Sequence, residues 1–294
     1  MRRGSSSRTA EWVSAWRGLA GLGRDGVAPD PIAKHLVSTP YRALLTAAEH
    51  APRIARATNA VLDTVTGGLW RHLPLRTRAI DDALSREIAN GTRQVVLLGA
   101  GLDARGYRLA ALEPCTLFEV DHPATQATKV HNTRNLSKIP REIRYVKVDF
   151  EKDDVGEKLE ACGFDASAPA VFVWEGVTMY LEREAIEKTL ATLRRISRRP
   201  SCLLATYFDE KAAVLTRHAR PILSLAGEPL RSSFSPEEIR EVFFEHDFAV
   251  EADEGIEDWS ARYGIARSRI IMSERLAIAR RIADVNESKA VGIP

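Results

Sequence analysis

Two glycines one residue apart follow directly on four large apolar side chains, in Val95-Val96-Leu97-Leu98-Gly99-Ala100-Gly101-Leu102-Asp103. Such an apolar run reads as a buried strand, and side-chain-free positions just beyond it let a ligand lie against the backbone. Asp121 closes Phe118-Glu119-Val120-Asp121, about 20 residues past the glycine turn, the interval at which an acid reaches ribose hydroxyls. Asp149-Phe150 pairs an acid that can take an adenine amino group with a ring that can cover the base, and Trp174-Glu175 puts a further carboxylate after a fourth apolar run. Tyr180 follows in Thr178-Met179-Tyr180-Leu181. The residues alone leave three readings of the turn open. A nicotinamide or flavin site would place a small residue at Ala104, as found, but the neighbouring Asp103 would repel a diphosphate. A positively charged nucleoside fits better, and a tight turn with no ligand is the third reading.

These residues can meet only if several strands end at one edge. Strands are expected at Val95 to Leu98, Thr116 to Val120, Arg144 to Val148, Ala170 to Trp174, Cys202 to Tyr207, Phe248 to Glu251 and Arg269 to Ser273. Several are nearly continuous apolar runs, as in a parallel sheet covered on both faces. The intervening segments carry helical periodicity: Ile186, Leu190, Leu193 and Ile196 share one face of Glu182 to Ser197. Ser235-Pro236-Glu237-Glu238 is an N-cap with proline and acids in the first turn, opening a helix through Phe244. The alternation specifies a doubly wound α/β sheet, mostly parallel, whose last two strands form an antiparallel edge hairpin joined by a long Gly- and Trp-containing loop.

Residues 1 to 90 contain no convincing strand. Trp12, Val13, Trp16, Leu19 and Ala20, then Ile32 and Leu36, then Leu44, Leu45 and Ala48, and finally Arg76 to Ile88 repeat at helical spacing. This stretch reads as a helical cap that does not fold independently, with the sheet domain occupying 91 to 294. Forty-two basic against forty acidic side chains leave a formal charge of +2, giving no electrostatic case for nucleic acid. The three cysteines, Cys115, Cys162 and Cys202, are scattered and odd in number, so neither a disulfide framework nor a zinc site follows and a cytoplasmic setting is expected. No apolar run reaches the ~20 residues that would span a bilayer.

In chain order, QVVLLGAGLDARGYRL, FEVDHP, VDFE and WEGVTMYL resemble the leucine carboxyl methyltransferase-like group of S-adenosylmethionine-dependent O-methyltransferases, some of them enzymes of bacterial secondary metabolism. TAEWVSAWR, APDPIAKHL and RTRAIDDAL are similar to the cap helices of that group, so the resemblance spans roughly residues 8 to 275. Two departures are Trp174, where a small residue is usual, and Gly106 in place of a commoner alanine. The resemblance implies a class I methyltransferase fold with S-adenosylmethionine as cofactor. It further implies Arg76 at the cofactor's methionine carboxylate, with Arg17 a second candidate and the neighbouring Arg78 an alternative. Gly99 and Gly101 would pass the methionyl part, Asp121 hold the ribose, Asp149 and Phe150 the adenine, and Glu175 the amino group.

A carboxylate acceptor, of a small molecule or peptide, is already ionised at neutral pH and needs no general base. Tyr180 is then the candidate that orients the acceptor. A hydroxyl acceptor would need a base, for which His122 and His218 are the candidates.

Overall fold

Successive side chains of a strand point to opposite faces, so the run from Val95 to Leu98 can be wholly buried only if both faces are covered. Both are: Val96 and Leu98 belong to one core, Val95 and Leu97 to another. The computed structural model describes residues 8–22, 27–65, 69–150, 152–210, 230–265 and 274–282.

Seven strands form one sheet, β1 (Gln94–Leu98), β2 (Thr116–Asp121), β3 (Glu142–Lys147), β4 (Ala170–Trp174), β5 (Cys202–Phe208), β6 (Phe248–Glu254) and β7 (Glu274–Arg281), in the order β3-β2-β1-β4-β5-β7-β6. The pairs from β3 to β5 are parallel and β7 runs antiparallel to both β5 and β6. The expected fold class is therefore the observed one. Chain direction along the sheet reverses between β1 and β4, and a crevice for ligands opens at the carboxyl ends of strands at such a switch point.

The first core packs Phe118, Phe172 and Trp174 against Leu190 and Leu193 of α9 (Arg183–Ile196) and Phe243 of α10 (Pro236–Glu245). Trp174 is 1% exposed there, so its bulk is absorbed by the core. The second core sets Ile80 and Leu84 of α5 (Leu69–Ala89) against Val95, Leu97 and Leu204, with Trp259 of α11 (Ile256–Tyr263). The Ser235 cap forms as its sequence indicates, the hydroxyl accepting from Glu238 N–H at 3.1 Å while the Glu238 carboxylate accepts from Ser235 N–H at 2.8 Å.

Residues Arg8–Gly21 (α1), Ala33–Leu36 (α2), Thr39–His50 (α3) and Pro52–Val65 (α4) form a helical cap. Ala15, Leu19, Ala33, Val37, Leu45, Ala48 and Ala55 make a separate small core within it. Short helices α6 (Arg105–Arg108), α7 (Pro123–Thr133) and α8 (Val155–Ala161) follow β1, β2 and β3.

Two expectations need correction, and a third falls outside the described residues. The helix expected from Arg76 begins at Leu69, with Pro74 inside it, and α4 has no counterpart in the sequence reading. The expected strand at 269–273 lies outside the described residues; the closing strand spans Glu274–Arg281, where flanking charges mask an apolar centre, Leu276 to Ala279. The segment between β6 and β7 is not only loop: α11 buries Trp259 completely, 5.4 Å from the ring of His72 on α5.

Candidate active site

The glycine turn leaves β1 with Gly99 at φ +69° and Gly101 at φ +45°, a left-handed region that costs other residues energy. Gly99 and Ala100 both donate to the Val120 carbonyl at 2.9 Å, fixing the turn to the end of β2. A Cβ on Gly99 would lie 2.7 Å from Val177 Cγ2, and one on Gly101 would meet Ala10 of α1 at 3.4 Å. The cap thus lies directly over the turn. Gly106 has a packing reason as well, since a Cβ would stand 3.0 Å from Ile143 Cδ1 and 3.1 Å from Leu117 Cδ2.

Asp121 ends β2 at 8% exposure. Its Oδ2 accepts from Gly101 N–H and its Oδ1 from His122 N–H at 2.5 Å. A carboxylate has about four acceptor positions, so a pair of ligand hydroxyls can still be served. Burial pushes the Asp121 carboxyl above its usual range, against the pull of those two amides and of Lys129. The ammonium of Lys129 lies 2.7 Å from Glu119 in an ion pair 1% exposed on each side.

The loop after β3 is joined to this region by Val148 N–H donating to the Asp121 carbonyl at 3.0 Å. Asp149 lies 2.6 Å from Lys152 Nζ, and Phe150 leaves 38% of its surface open. An exposed ring at a strand end is a ready cover for a planar base.

Glu175 and Arg76 meet across the switch point. Arg76 Nε donates to Glu175 Oε1 at 2.9 Å, and Arg76 Nη1 to Glu274 Oε2 at 2.6 Å. His72 Nε2 stands 2.9 Å from the same Glu274 oxygen. Arg105 joins the cluster from below the glycine turn, reaching Asp81 at 2.6 Å, Asp103 at 2.5 Å and Glu175 at 2.7 Å, while Arg108 reaches Asp81 at 2.6 Å. Burial, the largest single influence, would raise Asp103 and Glu175, but the cations together outweigh it, Arg105 with Arg17 and Lys129 at Asp103 and Arg105 with Arg76 and Arg17 at Glu175, holding both below the usual carboxylate range. Burial likewise opposes, and Arg76 chiefly prevails, at Glu274, which is held down at about 2.

Most of the sequence-derived residues thus converge. Gly99, Gly101, Asp121, Asp149, Phe150, Glu175 and Arg76 line one carboxyl edge, with Tyr180 in the one-turn helix Thr178–Tyr180 just after β4. That turn is pinned by Thr178 Oγ1 donating to the Thr206 carbonyl at 2.5 Å and by Ser232 Oγ donating to the Thr178 carbonyl at 2.9 Å. Arg17 is buried between Asp30, at 3.2 Å, and the Leu102 carbonyl, at 2.7 Å, and so ties α1 to the turn. Arg78 does not join them: it pairs with Asp82 at 2.8 Å and is 47% exposed. His218 lies outside the described residues. Asp103, expected from the sequence to repel a diphosphate, has its charge matched by Arg105. The sequence reading missed Arg105, Asp81, Glu274 and His72. Only Arg105, two residues past Asp103, had a local signal; Glu274 is 198 residues from Arg76 and 202 from His72.

A family model described as leucine carboxyl methyltransferase matches residues 10–194. The chain belongs to that family. A Streptomyces coelicolor relative, provisionally named an S-adenosyl-L-methionine-dependent methyltransferase, is 36% identical over 226 residues, 73% of each chain. One from Mycolicibacterium paratuberculosis with the same provisional name is 33% identical over 220 residues, covering 74% of this chain and 71% of its own length. Among solved structures, a DUF574 family protein from Streptomyces avermitilis superposes with a TM-score of 0.61 at 14% identity, covering 92% of this chain and 97% of that one. A Thermobifida fusca protein provisionally named a methyltransferase gives 0.57 at 17% identity, covering 90% and 98%. These two neighbours show that this member of the leucine carboxyl methyltransferase family has the class I methyltransferase fold. Among the described residues no group of His, Cys, Asp and Glu could hold a metal ion, and no helix is long and apolar enough to cross a membrane.

Proposed function

We propose that the protein transfers a methyl group to a carboxylate of a small molecule or peptide, forming a methyl ester. The coarser statement follows from the family: the chain is an S-adenosyl-L-methionine-dependent methyltransferase. The residues present suit that cofactor. Glycines at positive φ allow close approach at the turn, Asp121 has acceptor positions to spare for a ribose, Phe150 offers an open ring for the adenine beside Asp149, and Glu175 offers a carboxylate to the ammonium group, with Arg76 at the same end.

When bound, S-adenosyl-L-methionine supplies an electrophilic methyl carbon on a sulfonium. What remains for the chain is alignment and exclusion of water. Alignment alone is worth up to ~7–11 kcal/mol in well-oriented model reactions. The cap, with α1 over the glycine turn, shields the crevice, and a dry site favours a reaction in which a cation and an anion become neutral. Tyr180 is assigned to orient the acceptor from the pinned turn after β4.

The observation that carries the choice of a carboxylate is the state of His122. Its Nδ1 accepts the Ala124 N–H at 3.2 Å as the N-cap of α7, so this histidine, beside the ribose acid, is engaged in capping rather than free as a base. His72 is turned to Glu274 and 1% exposed. With His122 and His72 so engaged among the described residues, an acceptor that is already ionised is the one that suits the site, since it needs no base.

With cofactor saturating and an acceptor in hand, the chemical rate should be nearly flat from about pH 6 to 8, and hydroxide should release methanol from the product. A rate rising tenfold per pH unit together with a base-stable product would refute ester formation. It would put an alcohol or phenol in the acceptor's place.

A further inference from the structure

Away from the crevice, a cavity of about 450 Å³ opens between the cap and the sheet domain. The cap lines it with His35 of α2 and Arg42 of α3, the sheet domain with His131 and Asn132 from the last turn of α7 and Arg134 and Asn135 just after it. α7 starts beside Asp121 and runs 11 residues, about 16 Å at the usual rise, so the cavity stands a helix length from the ribose acid. No carboxylate lines it. Arg42 is held by two carbonyls at the end of α2, donating from Nε to Lys34 at 3.1 Å and from Nη2 to Val37 at 3.4 Å, and its Nη1 has no partner among the described residues. Arg134 spends Nη1 on the His131 carbonyl at 2.7 Å and on His131 Nε2 at 3.1 Å, leaving its other two nitrogens open. A guanidinium cannot accept, so His131 Nε2 is the accepting nitrogen and Nδ1 carries a proton to donate. Neither arginine forms an ion pair among the described residues, whereas the exposed Arg78, Arg183 and Arg195 elsewhere each face a carboxylate within 2.9 Å. Glu49, on the same helix as Arg42, is engaged with Lys34 at 2.7 Å. Burial, and after it the charges of Lys34 and Arg42, hold His35 below its ordinary value against the pull of Glu49, as in a site of positive potential.

We propose that this cavity binds a small molecule bearing a phosphate monoester. Two guanidinium groups supply two positive charges, which match the roughly −1.5 to −2 of such a group near pH 7, whereas a single carboxylate would leave one of them uncompensated. The donors are Nη1 of Arg42, the open nitrogens of Arg134 and Nδ1–H of His131, all on exposed side chains that a ligand reaches directly. Asn132 ties the two walls together by donating to the Leu36 carbonyl at 3.3 Å. Asn135, with no partner among the described residues, can take a ligand hydroxyl. A volume of about 450 Å³ lies within the ~300–1,000 Å³ of small-molecule sites, so the ligand is larger than phosphate itself. The assignment does not depend on the methyl-transfer reading.

Calorimetric titration with glycerol 3-phosphate, and with glycerate and glycerol for comparison, tests it at about 0.15 M ionic strength, where exposed charges more than about 8 Å apart are screened. Glycerol 3-phosphate should bind once per chain, glycerate at least about tenfold more weakly, and glycerol not at all. Arg42→Gln and Arg134→Gln should each weaken the phosphate ester roughly ten- to hundredfold, the loss expected for hydrogen bonds between charged groups. Arg183→Gln, exposed on α9, should leave its affinity within about twofold. Binding should persist with S-adenosylhomocysteine at saturation, since the two sites lie a helix apart. No saturable heat up to about 10 mM would overturn the proposal. So would affinity undiminished in both arginine variants, or displacement by S-adenosylhomocysteine, either of which puts the anion elsewhere. Glycerate binding as tightly as the phosphate ester would show a basic cleft with no phosphate site. If Arg42→Gln does not fold, Arg134→Gln decides alone. Should S-adenosylhomocysteine fail to bind, the methyltransferase reading falls, and the arginine variants still decide this one.

Discussion

Asp121→Asn separates cofactor recognition from folding more cleanly than any other change in the site. The carboxylate serves two main-chain donors, Gly101 N–H at Oδ2 and His122 N–H at Oδ1, and is 8% exposed. Asparagine keeps one oxygen and turns an NH2 toward the other amide, which costs about 1–3 kcal/mol for a buried donor left unmatched. It also removes the need to bury a charge, the penalty that pushes the Asp121 carboxyl up, so the two effects oppose and the net loss of stability should stay near 1 kcal/mol. For a chain of this size that is a fall in Tm of about 2–4 °C. No such compensation exists for the ligand: hydrogen bonds from ribose hydroxyls to a charged acceptor are worth about 1.5–3 kcal/mol, so Kd should rise roughly ten- to hundredfold. Titration calorimetry with S-adenosylhomocysteine gives the affinity, and thermal melting without ligand gives the stability. A folded variant whose Kd stays within about threefold of the unchanged protein would show that Asp121 does not hold the ribose.

Gly99→Ala should cost about 2–5 kcal/mol, from left-handed backbone strain at φ +69° plus a Cβ 2.7 Å from Val177, whereas Gly91→Ala, with φ +107° and nothing within 4 Å, should cost only the strain; melting temperatures in the reverse order would refute the packing argument. Asp103, Glu175 and Glu274 are all held below the range of unfolded Asp and Glu, near 4. Below about pH 4 the unfolded chain therefore binds more protons than the native one, and stability measured by denaturant titration should fall as pH falls toward 2, less steeply in Glu274→Gln; an unchanged slope in that variant would count against the Arg76 pairing. Tyr180→Phe should lower kcat while cofactor affinity stays within about twofold and the shape of the pH profile is kept, and a weakened cofactor would instead draw Tyr180 into the cofactor cleft. Arg78→Ala, removing an exposed pair with Asp82, a hydrogen bond to the Val27 carbonyl and a contact over the Tyr263 ring, should leave cofactor affinity unchanged by calorimetry.

Local order was legible in the sequence because backbone geometry imposes it. A strand buried on both faces must be apolar without interruption, as Val95 to Leu98 and Ala170 to Trp174 are, and a turn that meets a ligand must lack side chains, as at Gly99 and Gly101. The acids at strand ends, Asp121, Asp149 and Glu175, could be found by counting from that turn, since parallel strands bring their carboxyl ends to one edge whatever else the chain does. The closing strand was harder, because the charges of Glu274, Arg275, Arg280 and Arg281 disguise it, and those charges are tolerated only by partners elsewhere: Arg76 and His72, Asp253, Glu87 and Asp247. Tertiary structure alone decided which charge faces which. Nothing in the chain near Glu175 says that Arg105 and Arg76 share it, nothing near Arg76 says that Glu274 pairs with it, and the neighbours Arg76 and Arg78 look equivalent until α5 is laid on the sheet with one face in and one face out. Periodicity is a property of a few residues and their hydrogen bonds, but an ion pair depends on distance through space, which only the folded chain sets.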